Sequence, residues 1–163
     1  MKKILFILLL SMMFSTAKSQ KVFDDPELLV KALYQEVTFA PGESPDWDFT
    51  KSMFINEAVV VLRYGPDNMT IFDVQGWVDD FVTFIEEDGI AKTGFDEKIV
   101  GMTSYIYGDI ASINVLFESH IPGTKRRNKG VDIFQLIKKN EKWLIVSIIN
   151  ERPDFGGEVP DIY

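Results

Sequence analysis

The chain has 163 residues, no cysteine, and 17 basic against 25 acidic residues, which gives a net charge of −8. This acidity disfavours nucleic acids as partners, because an acidic protein is repelled by a phosphate backbone. Without cysteine there are no disulfides, so the stability of the chain has to come from its hydrophobic core.

The first 19 residues have the pattern of a secretory signal peptide. Lys2 and Lys3 precede an apolar run over residues 4–14, and Ala17-Lys18-Ser19 has small residues at the spacing of a cleavage site. The apolar run is about half as long as the ~20 residues that a membrane-spanning helix needs. We therefore predict cleavage after Ser19 and export to the periplasm or the cell exterior. After cleavage we expect no attachment to the membrane.

The rest of the chain has the length of one domain. We predict this domain over residues 20–153, followed by an acidic tail over residues 154–163 that is rich in glycine and proline. In chain order, the pattern predicts a helix over Pro26–Phe39, a short helix within Asp46–Phe54, a strand over Ala58–Tyr64 and a second long helix over Ile71–Asp88. Thr70 and Asp73 have the spacing of a capping box at the start of this second helix.

Four strands are predicted to follow, over Ile99–Tyr107, Ile110–Ile121, Val131–Lys138 and Trp143–Arg152. Gly108-Asp109 is predicted to be the tight turn between the first two strands. If Asn140-Glu141 is the turn of the last hairpin, Asp132 lies opposite Ile149, and Val131 lies opposite Asn150. Polar residues interrupt the apolar runs of this hairpin, and one or two of them could face a cavity; they are Asp132, Gln135, Asn150 and Arg152.

The strand Ile110–Ile121 predicts that both faces of the sheet are covered. One face is apolar, with Ala111, Ile113, Val115 and Phe117, while the other alternates apolar and polar residues. Two long helices cover about one face of a curved sheet. We therefore predict that a second copy of the chain covers the other face, which makes the protein a homodimer packed sheet to sheet.

This order of elements resembles the nuclear transport factor 2-like superfamily, in particular its exported branch and the polyketide-cyclase-like and ketosteroid-isomerase-like domains. The resemblance rests on the two long helices, the Val59–Tyr64 strand, Gly108-Asp109-Ile110-Ala111, and the closing Gly130–Leu136 and Lys142–Ile148 segments. It implies an α+β fold in which a cone-shaped, curved antiparallel sheet of about five to six strands wraps around two long helices and one short helix. It also implies a pocket between the helices and the concave face of the sheet.

The isomerase members of this superfamily use a tyrosine on the first helix and two aspartates on the sheet. Tyr34 stands near the position of that tyrosine. The strand position expected to carry the catalytic base falls within Val60–Arg63, and this segment contains no carboxylate. The chain therefore departs from the isomerase pattern, because that chemistry needs a carboxyl group in an apolar pocket, where burial raises its pKa.

His120 and Glu118 lie two positions apart, on the same face of a strand. They are candidates for an acid/base pair in which the carboxylate orients the imidazole. Alternatively, they form a half-exposed strand end beside Pro122-Gly123. One histidine and no cysteine are a poor ligand set for zinc, so we predict no metal site.

Four further residues are candidates for ligand contacts. Arg63 follows four apolar residues, so it either receives an anionic ligand group or marks the point where the strand reaches water. Trp47, in a proline-rich loop, could cap a pocket mouth. Tyr105 and Asn114 share a face across the Gly108-Asp109 turn, where they either orient a ligand or belong to a polar outer surface or dimer face.

Three functions are compatible with the sequence. The first is an exported, non-catalytic domain that binds a small apolar molecule and dimerises through its sheet. The second is an acid/base enzyme that works without a cofactor, such as an isomerase, dehydratase or cyclase. The third is a protein-interaction adaptor. The absence of a carboxylate at the expected strand position favours the first.

Overall fold

The protein is described here from a computed structural model that covers residues 21–65, 67–125 and 127–152. The predicted signal peptide (residues 1–19) and the predicted tail (residues 154–163) lie outside these described residues. No helix within the described ranges has both the length and the apolar character needed to cross a membrane.

Aspartate side chains cap the three α-helices of the described chain, whereas Gly89 precedes the 3-10 helix without a side-chain cap. These helices are α1 (Pro26–Val37), α2 (Trp47–Ser52), α3 (Val74–Glu87) and a 3-10 helix (Ile90–Lys92). The carboxylate of Asp25 accepts hydrogen bonds from the backbone N–H groups of Glu27 and Leu28, at 2.8 and 2.9 Å. The carboxylate of Asp73 caps α3 in the same way. These bonds satisfy N–H groups that have no partner inside the helix.

A six-stranded sheet packs against these helices. Its strands are β1 (Phe54–Gly65), β2 (Asn68–Asp73), β3 (Asp96–Tyr107), β4 (Ile110–His120), β5 (Arg127–Lys139) and β6 (Lys142–Glu151). Their order across the sheet is β2-β1-β6-β5-β4-β3. The predicted α+β class, with two long helices and one short one, is confirmed. The sheet is mixed, because β1 and β6 pair in parallel while the other neighbours are antiparallel.

The start of the second long helix was predicted too early. Residues 68–73 form β2, in which Thr70 pairs with Leu62 and Ile71 pairs with Val61 of β1. The helix begins at Val74, because the carboxylate of Asp73 accepts a hydrogen bond of 2.7 Å from the N–H of Gly76. A capping residue was therefore expected at the start of this helix, but it is Asp73 and not Thr70, which lies in β2.

The register predicted for the last hairpin was wrong by one residue. Asn140 and Glu141 do form the turn, with positive φ angles of 52° and 61°, and Lys139 pairs with Lys142. Further along, Gln135 pairs with Ser147 while Leu136 pairs with Ile145, so Val146 is an extra residue in β6, a β-bulge. Asp132 consequently lies opposite Asn150 rather than opposite Ile149.

The core lies between the helices and the inner face of the sheet. Ile113, Val115 and Phe134 on this face are fully buried, and Trp77 of α3 is 7% exposed. The alternation of β4 follows the prediction, since Ala111, Ile113, Val115 and Phe117 are all buried. The opposite face, which we call the outer face, is not covered by any other described part of the chain.

Candidate functional site

A cavity of about 490 Å³ lies between α1, α3 and the inner face of the sheet. Both long helices and all six strands contribute to its lining. Much of this lining is aromatic, including Tyr34, Phe72, Trp77, Phe81, Phe117 and Phe134. Its size falls in the range of about 300–1,000 Å³ that is typical of small-molecule sites.

The wall formed by α3 is a packed aromatic cluster. The ring of Phe81 lies 6.2 Å from that of Trp77, 5.8 Å from that of Phe84 and 5.7 Å from that of Phe95, in each case edge to face. Such pairs are favourable because the positive edge of one ring meets the negative face of the next. Each ring limits the rotation of the others, so this wall has a defined shape.

Three polar side chains meet inside the cavity, around the carboxylate of Asp132. The hydroxyl of Tyr34, on α1, donates a hydrogen bond of 2.5 Å to Oδ2 of Asp132, on β5. The amide of Asn150, on β6, donates a hydrogen bond of 2.6 Å to Oδ1. Asn150 reaches Asp132 because the bulge at Val146 places the two residues opposite each other on the inner face.

Burial raises the pKa of Asp132 to about 6. The hydrogen bonds from Tyr34 and Asn150 act in the opposite direction, as does the positive charge of Arg152, because each favours the ionised carboxylate. At neutral pH Asp132 is therefore mostly ionised, although it lies in a largely apolar cavity.

A second carboxyl group, that of Glu97 on β3, lines the same cavity. In the pairing of β3 with β4, Ile99 lies opposite Phe117 and Gly101 lies opposite Leu116, so Val100 is a bulge. This extra residue puts Glu97 on the inner face, opposite Ser119.

The backbone of Glu97 is held in place by the end of α1. Oγ1 of Thr38 donates to the Glu97 carbonyl at 2.9 Å and accepts from the Glu97 N–H at 3.0 Å. The carboxyl group itself makes no hydrogen bond to any described residue. Burial, together with the negative charge of Asp132, raises its pKa to about 8, and the charge of Arg152 opposes this rise. Glu97 is therefore mostly protonated at neutral pH.

Solved structures with the same arrangement of helices and sheet identify the fold. A nuclear transport factor 2-like (NTF2-like) protein of unknown function from Pseudomonas putida KT2440 superposes with a TM-score of 0.60 at 12% identity, covering 83% of this chain and 87% of that one. The chain has the NTF2-like fold. A cystatin-like-fold protein from Nostoc punctiforme PCC 73102 superposes with a TM-score of 0.58 at 14% identity, covering 80% of this chain and 93% of that one. No protein-family profile and no curated protein matches the sequence.

In this NTF2-like cavity, two carboxyl groups have different acid strengths because their surroundings differ. Asp132 receives two hydrogen bonds that stabilise its charge, whereas Glu97 receives none from the part of the chain that the structure describes. At neutral pH one group can accept a proton and the other can donate one. A pair of this kind is the usual arrangement for acid/base chemistry in enzymes.

Among the described residues there is no group of three or more histidine, aspartate or glutamate side chains that could hold a metal ion.

Of the residues predicted from sequence as catalytic candidates, Tyr34 lines the cavity, while Glu118 and His120 lie outside it. Glu118 forms ion pairs with Lys98 at 3.2 Å and with Lys129 at 2.9 Å. The hydrogen bonds from these lysines hold its pKa below the ordinary value. Nε2 of His120 lies 3.3 Å from the carbonyl oxygen of Thr124.

The four predicted ligand contacts are also not among the residues that line the cavity. Arg63 forms an ion pair with Glu151. The ring centroid of Trp47 lies 5.5 Å from that of Phe81, and Trp47 itself does not line the cavity. Tyr105, with 74% of its surface exposed, and Asn114 lie on the outer face.

The cavity carboxyl groups were harder to find from the sequence. Asp132, Asn150 and Arg152 were recognised as polar interruptions of the last hairpin, and all three line the cavity. Their common face depends on the bulge at Val146, which the sequence pattern does not reveal. Glu97 was not recognised, because it lies before the predicted start of its strand, between charged neighbours.

Replacing Glu97 with glutamine should remove a pH-dependent loss of stability. Because the pKa of Glu97 is raised from 4.5 to about 8, its carboxyl ionises more readily in the unfolded chain. The free energy of unfolding of the natural protein therefore falls as the pH rises through this window. Glu97→Gln should exceed the natural protein by roughly 1–3 kcal/mol at pH 8, and by much less at pH 5.

Urea unfolding at the two pH values measures this difference. Glu118→Gln is the matched control, because Glu118 is paired with lysines outside the cavity and its pKa is lowered. This control should gain no stability at pH 8. If Glu97→Gln and the natural protein had equal free energies of unfolding at pH 8, burial would not disfavour the ionised form of Glu97.

Proposed function

We propose that this NTF2-like domain binds a small, mostly apolar molecule in its cavity. The observation that carries this proposal is the cavity itself, whose walls combine many aromatic and aliphatic side chains with several polar and charged groups. Small-molecule sites have this composition, because apolar walls supply affinity while a few polar groups set orientation.

The polar group at Asp132 is ordered before any ligand arrives. Tyr34 and Asn150 each direct one donor at a different oxygen of this carboxylate, so the carboxylate has a fixed orientation. A ligand that contacts Asp132 then has little side-chain entropy to overcome, which favours binding. An ordered polar cluster inside an apolar cavity therefore supports ligand binding more than a purely structural role.

Filling the cavity should weaken binding of an apolar probe. Ser119 lines the cavity and is 6% exposed, so the larger side chain of Ser119→Leu occupies cavity space. N-phenylnaphthylamine, a neutral dye whose fluorescence rises in apolar sites, should bind saturably to the natural protein. Its affinity should fall at least about fivefold in Ser119→Leu, since the cavity loses volume and ligand contacts.

Ser112→Leu is the control for this experiment. Ser112 lies on the same strand as Ser119 but points to the outer face, where its hydroxyl accepts a hydrogen bond of 3.1 Å from Gln135. The affinity for the dye should be unchanged in this variant. A loss in both variants, or in neither, would argue against binding in the cavity.

We also propose that a second copy of the chain covers the outer face. Tyr107 pairs with Ile110, which pairs with Ile137, so three apolar side chains form a row across β3, β4 and β5. They are 74%, 58% and 38% exposed. Ile149 of β6, 48% exposed, extends the same face. Contiguous exposed apolar surface of this kind is typical of protein interfaces.

Sedimentation equilibrium tests this dimer. The natural protein should have the mass of two chains, and Ile110→Lys should have the mass of one, because a charge in the centre of the interface would be left without a partner. Met69→Lys is the control, since Met69 is 63% exposed but lies on β2, at the far edge of the sheet. A natural protein that sediments as a single chain would rule out the proposed dimer.

A second candidate function is an acid/base enzyme that works without a cofactor. The observation in its favour is the pair of cavity carboxyl groups, with Asp132 mostly ionised and Glu97 mostly protonated at neutral pH. Asp132 would take a proton from a carbon beside a carbonyl group, and Glu97 would donate a hydrogen bond to the developing oxyanion. Returning the proton to another carbon would complete an isomerisation.

This activity is tested by the exchange of the hydrogens next to the carbonyl of cyclohexanone in deuterium oxide, followed by NMR. The natural protein should accelerate exchange, and Asp132→Asn should lower the rate by roughly a hundredfold or more, the usual contribution of a general base. Asp109→Asn, in the β3–β4 turn, should have no effect. Exchange no faster than in buffer would exclude this function for simple ketones.

A further inference from the structure

The carboxyl groups around the cavity outnumber its cations. Five acidic residues line it, namely Asp80, Glu87, Asp88, Glu97 and Asp132. Among the described lining residues, Arg152 is the one cation. An apolar ligand that carries a positive charge would therefore meet a favourable potential in this cavity, and an anionic ligand would be repelled.

The two inner carboxyl groups retain unused capacity to accept hydrogen bonds. A carboxylate offers about four acceptor positions. Each oxygen of Asp132 accepts one hydrogen bond, from Asn150 or from Tyr34. The carboxyl of Glu97 accepts none from the described residues, although it lines the same cavity as Asp132, whose negative charge raises the pKa of Glu97. Together they suit a ligand group that donates several hydrogen bonds and carries a positive charge.

The aromatic walls suit the same kind of ligand. Trp77, Phe81 and Phe117 present ring surfaces to the cavity. Ring faces attract cations, and they also bury the apolar body of a ligand. One cavity therefore combines aromatic surface with carboxyl groups whose acceptor positions are only partly filled by donors of the described residues.

We propose that the ligand is a hydrophobic amine, whose ammonium group donates hydrogen bonds to Glu97 and Asp132 and whose apolar body packs against the aromatic walls. This proposal rests on the proposed binding function and names its ligand class. An ammonium group has three donors, which is enough to supply a hydrogen bond to each carboxylate. Charge-assisted hydrogen bonds of this type are stronger than those between neutral groups.

Arg152 does not reverse this preference. Its charge already acts on Asp132 and on Glu97, since it opposes the rise in the pKa of both. One of its guanidinium nitrogens also lies 3.4 Å from the carbonyl oxygen of Arg63, to which it donates. An anionic ligand would have to compete with two carboxyl groups for this single cation.

Binding of an amine should depend on pH. The charges of Asp132 of β5 and of Arg152, just after β6, act on Glu97, and Tyr34 of α1 and the acids Asp80 and Glu87 of α3 line the same cavity. An ammonium ion requires Glu97 to be ionised, so binding releases a proton from it when the pH is below its pKa. The affinity should therefore rise between pH 6 and pH 9, where an alkylamine remains charged.

Isothermal titration with three probes tests the ligand class. Phenylbutylamine, phenylbutanol and phenylbutyrate share one apolar body and differ in the charge of the end group. At pH 9 the amine should bind the natural protein at least about tenfold more tightly than the alcohol, and the acid should bind most weakly. Glu97→Gln should reduce the preference for amine over alcohol to about threefold or less. Glu118→Gln, outside the cavity, should keep the full preference.

Each other outcome has a definite meaning. If the alcohol binds as tightly as the amine, or if the acid binds most tightly, the amine proposal is overturned while binding in the cavity stands. If Glu118→Gln loses the preference as Glu97→Gln does, the preference comes from overall charge and the assigned contact is wrong. If none of the three probes binds to protein whose folding is confirmed by circular dichroism, both the amine proposal and the proposed binding function fail.

Discussion

The strict alternation of side chains across a β-strand is the constraint on which the candidate site depends. One extra residue in a strand moves every later side chain to the opposite face. Val146 is such a residue in β6, and it brings Asn150 opposite Asp132 on the inner face. Val100 is such a residue in β3. Because of it, Glu97 before the bulge and Met102 after it lie on the same, inner face. Without these two bulges, the polar groups of the cavity would not converge.

The cavity also shows how hydrogen bonds separate the acid strengths of two similar groups. Burial raises the pKa of both Glu97 and Asp132. Asp132 is the more acidic because Tyr34 and Asn150 stabilise its charge, whereas no described residue donates to the carboxyl of Glu97. Two incompletely compensated carboxyl groups reduce the stability of the fold at neutral pH. Such a cost is typical of functional sites, where perturbed pKa values concentrate.

The NTF2-like fold explains where the cavity lies but not what it does. A curved sheet that packs against two helices leaves space between the layers, and α3 closes one side with interlocked aromatic rings. Structures of 12–14% identity share this architecture. Functions on a shared fold differ with the side chains in the site. The proposals for this chain therefore rest on its own polar groups and on their surroundings.

The sequence by itself determined the class of the fold and most of its elements. The local pattern predicted α1 from Pro26 onward and most of α3, and the alternation of Ala111–Phe117 predicted the buried face of β4. These features were readable because each depends on neighbours within a few residues in the chain. β2 was missed because it is only six residues long and its last residue, Asp73, is also the cap of α3. Its pattern is too short to separate from that helix.

Only the tertiary structure decided which polar residues share the cavity. Asp132 and Asn150 were visible as interruptions of apolar runs, but their common face depends on Val146, a residue that looks like any other β-branched residue in the run. Glu97 and Asp132 influence each other across two strands that are not neighbours in the sheet. A pKa depends on everything that surrounds a group in space, and a bulge depends on how two strands pair, so neither can be read from one segment of sequence.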